Sequence, residues 1–263
     1  MREPLRILML AANPIDRNKL ALTKEYQLLR NKMFDNTEAG SCDLRMEWAV
    51  QAESLKQALR ENRPHIVHFS GHGHDEIICL EDDERKSRAL SKRELGMLFN
   101  QSRSQIRVIV LNACYSARQA EHLSELVDFV IGTTVPIADA AALRFTNEFY
   151  RAIAIGGTVR EAFNKAKKVT DDRREQYELL VRPGADETTP LLPPATATTI
   201  RLKVGNLKVN DELNIGRRIF EGFNPVDLPE PNSNEKTDLE IEANDISAGK
   251  ANVTANDIWK QAK

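Results

Sequence analysis

Short aliphatic runs alternate with amphipathic segments over about the first 190 residues of the chain. Five runs have the length and the Ile, Val, Leu and Phe content of buried strands, namely Arg6–Ala11, Leu44–Val50, His65–Ser70, Val108–Asn112 and Phe129–Gly132. Apolar residues recur with helical spacing in Lys19–Phe34, Ala52–Glu61, Ser91–Phe99, Arg118–Leu126 and Asp139–Ala154, and again after Thr158. This alternation predicts an α/β fold with a mostly parallel sheet.

Three of the predicted helices begin with residues that can cap them. Ser91 with Glu94, and Thr158 with Glu161, have the spacing of a capping box, in which each side chain satisfies a backbone N–H of the other residue. Asp139 is expected to cap the helix that follows the fifth strand. These residues therefore predict where three of the helices start.

The composition changes beyond Arg182. Pro-Gly at 183–184 and Pro-Pro at 193–194, with several threonines around them, favour extended and turn conformations and bury little apolar area. We therefore predict a main domain over residues 1–182, a linker over 183–199 and a separate C-terminal segment over 200–263.

The C-terminal segment contains an internal repeat. Ile200–Phe220 aligns with Leu239–Trp259 at an offset of 39 residues, which pairs Leu207 with Ile246 and Ile219 with Ile258. Both copies are β-prone, and a Pro-containing spacer separates them. The repeat predicts two short β-rich units that cannot bury much surface by themselves.

Composition excludes several classes of partner for the 263-residue chain. The formal net charge is -2, so the chain has no overall basic field to hold nucleic acid or an anionic membrane. The N-terminus lacks an apolar segment of signal-peptide length, and we expect a cytoplasmic protein. Three cysteines without CxxC spacing argue against a disulfide framework and leave room for a reactive thiol.

Two residues with catalytic chemistry directly follow neighbouring strands. Ser-Gly-His-Gly places His72 after the third strand, and Asn-Ala-Cys-Tyr-Ser places Cys114 after the fourth. Parallel strands present their carboxyl ends at the same edge of a sheet, where clefts form. An imidazole beside a thiol can take its proton and later return it to a leaving amine. The backbone N–H groups of Gly73 and Cys114 are the candidate oxyanion donors.

These motifs resemble those of the caspase-like peptidases, in which the His precedes the Cys by about 50 residues. The chain is more closely similar to the bacterial CHAT family (caspase HetF associated with TPRs). The resemblance spans roughly residues 5–170 and includes His65–Gly73, Val110–Ser116 and Val130–Gly132. It implies a caspase-like three-layer α/β sandwich and a cysteine endopeptidase acting on protein substrates without a cofactor.

By that resemblance, His72 and Cys114 match the catalytic dyad of the family, and Gly73 matches its oxyanion position. Many metacaspase-like relatives have Asp two residues before the nucleophile, which favours a basic substrate side chain. This chain has Asn112 there, so cleavage after Arg or Lys is not implied. Asn112, Tyr115 and Asp139 are the candidate substrate-binding residues, although Tyr115 is expected mainly to pack and Asp139 to cap its helix.

Two other interpretations of the same residues remain open. His65, His68, His72 and His74 lie close together and Cys79 follows, which can indicate zinc. On a strand, however, His65 and His68 point to opposite faces, so we expect no metal site and expect His68 to pack or hydrogen-bond beneath the cleft. The second alternative is a catalytically silent caspase-fold module that binds peptides or acts as a scaffold.

The repeat order of the C-terminal segment resembles amyloid signalling motifs of the HET-s type. This resemblance implies assembly through residues 200–259, with other copies or with a nucleotide-binding receptor (STAND or NLR-like) that carries a matching motif. It also implies a role in bacterial stress, regulated cell death or phage defence. An autoinhibitory flap and a passive tail are the rival interpretations.

Overall fold

The computed structural model describes residues 3–37, 41–74, 77–101, 103–170 and 177–192 in full, and beyond them the backbone of four strands. The chain divides into two compact units, Met1–Pro194 and Ala195–Lys263. No helix in the described ranges is long and apolar enough to cross a bilayer.

The strands of the first unit form two sheets. They are β1 (Leu5–Ala11), β2 (Cys42–Glu47), β3 (Ile66–Ser70), β4 (Gly73–His74), β5 (Ile77–Glu81), β6 (Ser87–Ser91), β7 (Val108–Asn112), β8 (Phe129–Thr133) and β9 (Tyr177–Val181). The central sheet has the order β2-β1-β3-β7-β8-β9, and only β9 runs antiparallel to its neighbour. The strands β4, β5 and β6 form a small antiparallel sheet beside it.

Six helices cover the two faces of the central sheet. They are α1 (Leu22–Phe34), α2 (Ala52–Asn62), α3 (Lys92–Asn100), α4 (Ala117–Ser124), α5 (Asp139–Ala154) and α6 (Val159–Val169). Alternate residues of β1 point to opposite faces: Ile7 joins a core with α1, α5 and α6, whereas Leu8 joins a core with α2, α3 and α4. The result is the expected three-layer α/β sandwich with a mostly parallel sheet.

The predicted elements of the main domain are confirmed to within a few residues. Both capping boxes are present, at Ser91 with Glu94 and at Thr158 with Glu161. The second strand ends earlier than predicted, at Glu47, because Ala49 adopts a left-handed backbone conformation with φ 52°. The small sheet and β9 were not predicted.

The first unit continues past the predicted boundary at residue 182. The strand β9 completes one edge of the central sheet, and Leu192 is buried in the core that contains α5 and α6. Ala185 and Leu191 also pack against this core, and the division between the two units falls after Pro194.

The second unit pairs the two copies of the repeat in parallel. Its strands are β10 (Ala197–Val204), β11 (Leu207–Lys208), β12 (Lys236–Ala243) and β13 (Ile246–Ser247). Ile200 pairs with Leu239, and Leu207 pairs with Ile246, so both strand pairs keep the offset of 39 residues found in the sequence. The predicted pairs of Ile219 with Ile258 and of Phe220 with Trp259 lie outside the described residues.

Candidate functional site

The ends of β3 and β7 bring the two candidate catalytic segments together. Ser70 pairs with Asn112 in the last register position of the two strands, and the N–H of Gly71 donates to the Asn112 carbonyl at 3.3 Å. A Cβ atom on Gly73 would clash with the carbonyl oxygen of Cys114. Only glycine allows this approach, so the segment after His72 passes directly beside Cys114.

His72 and Cys114 line the same cleft. Its walls are largely apolar and include Leu20, Ile137 and Leu143. Carboxylates lie at two places in it, with the buried Glu25 on α1 and the exposed Asp139 at the start of α5. The cleft therefore places an imidazole, a thiol and an exposed negative charge within one small volume.

A backbone contact fixes the tautomer of neutral His72. Its Nε2 lies 2.7 Å from the carbonyl oxygen of Asn18, in the segment between β1 and α1. A carbonyl oxygen only accepts hydrogen bonds, so Nε2 must carry a proton. The other ring nitrogen, Nδ1, is then the one free to accept a proton.

Cys114 is the only one of the three cysteines that is not buried. Its Sγ accepts a hydrogen bond from the N–H of Ile137 at 3.5 Å and lies 3.9 Å from the carbonyl of the same residue. Burial, together with Asp43, raises the pKa of the Cys42 thiol to about 12, and burial also raises the pKa of Cys79. Of the three thiols, Cys114 is therefore the one accessible from the cleft.

The backbone N–H of Gly73 is directed away from β5. Gly73 pairs with Ile78, and the N–H of Cys79 donates to the His72 carbonyl at 3.0 Å. This bond makes Gly73 and Ile78 a non-hydrogen-bonded pair of the antiparallel ladder, in which neither N–H faces the partner strand. The Gly73 N–H thus has no role in the β4–β5 ladder.

Tyr115 and Asp139 differ in their relation to the cleft. Tyr115 lies outside the cleft lining, is 43% exposed and has a left-handed φ of 56°, which is uncommon for a non-glycine residue. The expectation that Asp139 caps α5 is wrong, because Ala138 occupies the N-cap position and Asp139 is the first helical residue. Its carboxylate is therefore not used as the cap, and it faces the cleft from the helix N-terminus, where the dipole favours negative charge.

A buried polar network lies beneath the cleft, and Glu25 is its centre. Glu25 Oε1 accepts from His68 Nε2 at 2.9 Å, from Thr146 Oγ1 at 2.8 Å and from the Asn112 amide, and Oε2 accepts from Ser70 Oγ at 2.5 Å. Four donors on β3, β7 and α5 thus converge on one carboxylate of α1.

Two tyrosines extend the network on opposite sides. The Tyr177 hydroxyl donates to Asn112 Oδ1 at 2.7 Å, and the Tyr150 hydroxyl lies 3.1 Å from His68 Nδ1. The oxygen and the nitrogen of the Asn112 side-chain amide are therefore both bonded below the floor of the cleft. The expectation that His68 hydrogen-bonds beneath the cleft is confirmed.

Burial and hydrogen bonds set the protonation state of the carboxyl group and the two tyrosine hydroxyls of the network. Burial raises the pKa of Glu25, but hydrogen bonds from His68, Ser70 and Thr146 and the charge interaction with His68 outweigh it, so the net pKa is lowered. Burial raises the pKa of Tyr150 and of Tyr177 well above the ordinary value. Glu25 is therefore a carboxylate, and both tyrosine hydroxyls keep their protons.

Sequence reasoning missed Glu25, although a signal for it exists. The buried face of α1 consists of Leu22, Glu25, Leu29 and Met33, at helical spacing. A carboxylate on an otherwise apolar helix stripe must find partners in the interior. Those partners come from segments 43 to 121 residues away, which the sequence pattern does not connect.

The histidines do not assemble into a metal site. Within the ranges that the structure describes, no three His, Cys, Asp or Glu side chains lie close enough to share a metal ion. His65 is bonded to Arg6, and His68 to Glu25 and Tyr150.

Comparisons with known proteins relate the chain to peptidases. The CHAT domain model matches residues 23–191. A probable protease of Gillisia limnaea is 26% identical over 57% of this chain and 27% of its own length. A Roc-COR-CHAT protease of Runella zeae is 26% identical over 56% of this chain and 15% of its length.

A solved structure shares the fold. The Arg-specific cysteine proteinase gingipain R superimposes with a TM-score of 0.51 at 13% identity, covering 76% of this chain and 52% of that protein. The first unit therefore has a caspase-like fold. The chain spans about a quarter or less of the two relatives matched by sequence and about half of gingipain R.

Proposed function

This chain belongs to the CHAT domain family, and from that premise we propose that it is a cysteine endopeptidase with Cys114 as nucleophile and His72 as base. The observation that carries the proposal is the shared cleft, in which the only unburied thiol lies with a histidine whose Nε2 is bound to Asn18. The protease names of the two relatives and the fold of gingipain R support the same class of reaction.

The proposed reaction uses groups already in the cleft. His72 Nδ1 takes the thiol proton as Cys114 Sγ bonds to the substrate carbonyl carbon. The N–H groups of Gly73 and Cys114 stabilise the oxygen that becomes negative. His72 then returns the proton to the leaving amine, and water hydrolyses the thioester with His72 again as the base.

A peptide probe with an electrophilic carbon tests this proposal. It should label Cys114 in the full chain, and His72→Ala should abolish the labelling because the thiol loses its base. A catalytically silent peptide-binding module is the alternative. That alternative predicts that the probe binds but labels Cys114 no faster than a free thiol, with or without His72.

We propose that Asp139 binds a basic substrate side chain. Its exposed carboxylate faces the cleft, whose apolar walls suit the aliphatic stem of Lys or Arg, whereas the Asn112 amide is occupied below. Tyr115, exposed beside Cys114, is the remaining candidate contact.

Asp139→Asn should lower kcat/KM by about threefold to tenfold for peptides with Lys or Arg before the scissile bond. It should change kcat/KM little for the same peptides with norleucine there. Asp83→Asn, an exposed carboxylate on the β5–β6 turn, is the control. An equal loss for basic and neutral peptides would remove Asp139 from the specificity site.

For the second unit we propose assembly, with other copies or with a nucleotide-binding receptor that carries a matching repeat, in cell-death or defence signalling. The constant offset of 39 residues in two parallel strand pairs supports this, because a parallel pair leaves outer edges on which a further copy of the repeat can add. Assembly would bring cleavage domains together and raise their local concentration.

Proline at both Leu207 and Ile246, which pair with each other, should block assembly because proline donates no ladder hydrogen bond. We expect the variant to stay monomeric in sedimentation while its Cys114 keeps its reactivity toward the peptide probe. Lys208→Ala, in the same strand, is the control. Assembly that persists in the double proline variant would favour a flap or a passive tail.

A further inference from the structure

The segment that contacts His72 is an exposed loop, closed at its ends by hydrogen bonds between Asn13 and Leu20. Residues 13–20, here called the 13–20 loop, connect β1 to the segment before α1, and Ile15 to Lys19 are exposed. Asn18 contributes a backbone carbonyl, which no side-chain substitution can remove. The position of that carbonyl therefore depends on the bonds that hold the rest of the loop.

The bonds that hold the middle of the loop run to the β5–β6 hairpin, and they include one from Arg17 Nε to Ser87 Oγ at 3.4 Å. The Asp16 carboxylate accepts two hydrogen bonds from Ser87, one from its N–H at 2.9 Å and one from its hydroxyl at 2.6 Å. The N–H of Ile15 donates to the Arg85 carbonyl at 2.9 Å. Asp16 thus binds Ser87 through both of its oxygens, two residues before Asn18.

The hairpin is a firm anchor for the loop. Glu81 at the end of β5 is buried, and its two carboxylate oxygens bind the Asn13 N–H and Arg85 Nε. The same small sheet begins at β4, immediately after His72. The small sheet therefore holds both His72 and the loop whose Asn18 carbonyl accepts the hydrogen bond from His72.

From this geometry we infer that Asp16 and Ser87 are positioning residues that act on His72 through the Asn18 carbonyl. The inference rests on the proposed function of His72. Losing either side chain loosens the part of the 13–20 loop that bears Asn18, so its carbonyl orients Nε2 less well and Nδ1 is less often directed at Cys114. Both residues lie outside the cleft lining, so they control reactivity from the outer surface of the domain.

The test measures alkylation of Cys114 by iodoacetamide in the full chain, followed by mass spectrometry. Cys114 Sγ bonds to the reagent carbon, iodide leaves, and His72 accepts the thiol proton. Asp16→Ala and Ser87→Ala should each slow the reaction about threefold to tenfold. Ser87→Thr, which keeps the hydroxyl, should restore the rate. Asp83→Ala removes an exposed carboxylate from the same hairpin and should leave the rate unchanged.

A double-mutant cycle separates positioning from general loosening. In a His72→Ala background, Asp16→Ala should have no further effect, because its route to Cys114 is gone. An equal fold-loss in both backgrounds, or a wild-type rate in Asp16→Ala, would overturn the inference. If His72→Ala itself does not slow alkylation, the proposed dyad fails. If only Asp16→Ala and Ser87→Ala have no effect, the dyad stands and the positioning role fails.

Discussion

Replacing His72 or Cys114 with alanine is expected to reduce cleavage of a mixed peptide library by about three orders of magnitude or more. Neither replacement should unfold the protein, because both side chains lie at the open cleft rather than in the two cores. Mass spectrometry of the library gives the cleavage rate, and a thermal scan of each variant gives its stability.

The size of the effect follows from how the two groups act together. Without the base the thiol stays largely protonated and the leaving amine receives no proton, and without the thiol no acyl intermediate forms. Removing either side chain should therefore lower the cleavage rate about as much as removing both. His74→Ala is the matched control, since His74 lies in β4 outside the cleft lining. Full activity in His72→Ala would exclude it as the base.

Replacing Glu25 with alanine is expected to lower the free energy of unfolding by about 3–5 kcal/mol. The change leaves buried donors of His68, Ser70, Asn112 and Thr146 without their acceptor. Urea denaturation of the full chain, wild type against Glu25→Ala, measures this difference in the free energy of unfolding. Glu121→Ala on α4 removes an exposed carboxylate and should change stability by no more than about 0.5 kcal/mol. A similarly small effect at Glu25 would mean that the network contributes little.

The lowered pKa of Glu25 also predicts how this contribution depends on pH. A carboxyl whose pKa is depressed by folding stabilises the protein fully above its unfolded pKa, and the contribution is lost as the pH falls through the folded value. The ordinary Glu value is 4.5, so the wild type should lose this stability only below about that pH. Glu25→Gln should lack this part of the acid dependence.

The parts of the fold that depend on local pattern could be predicted from the sequence. The aliphatic runs of β3 and β7 are buried on both faces, and they fixed the positions of His72 and Cys114 at one sheet edge. The capping boxes at Ser91 and Thr158 are local signals of the same kind.

The parts of the fold that depend on partners distant in the chain could not be predicted from the sequence. The strand β4 has only two residues and is defined by its pairing with β5, and its Gly73 lies against the distant Cys114. The bond between Asp16 and Ser87 joins segments 71 residues apart, and the donors of Glu25 come from three other elements. Asp139 was assigned to the cap because a carboxylate there is favourable, but the chain turns one residue earlier, at Ala138.

Mapping of new protein N-termini in cells that express the full chain tests the central claim most directly. The comparison is between the wild type and Cys114→Ala at equal abundance, with His72→Ala as a second inactive variant. The proposed function predicts a defined set of new N-termini in the wild type that is absent from both variants, with Lys or Arg enriched before the cleaved bonds. The same set in Cys114→Ala as in the wild type would contradict the assignment of Cys114 as the nucleophile.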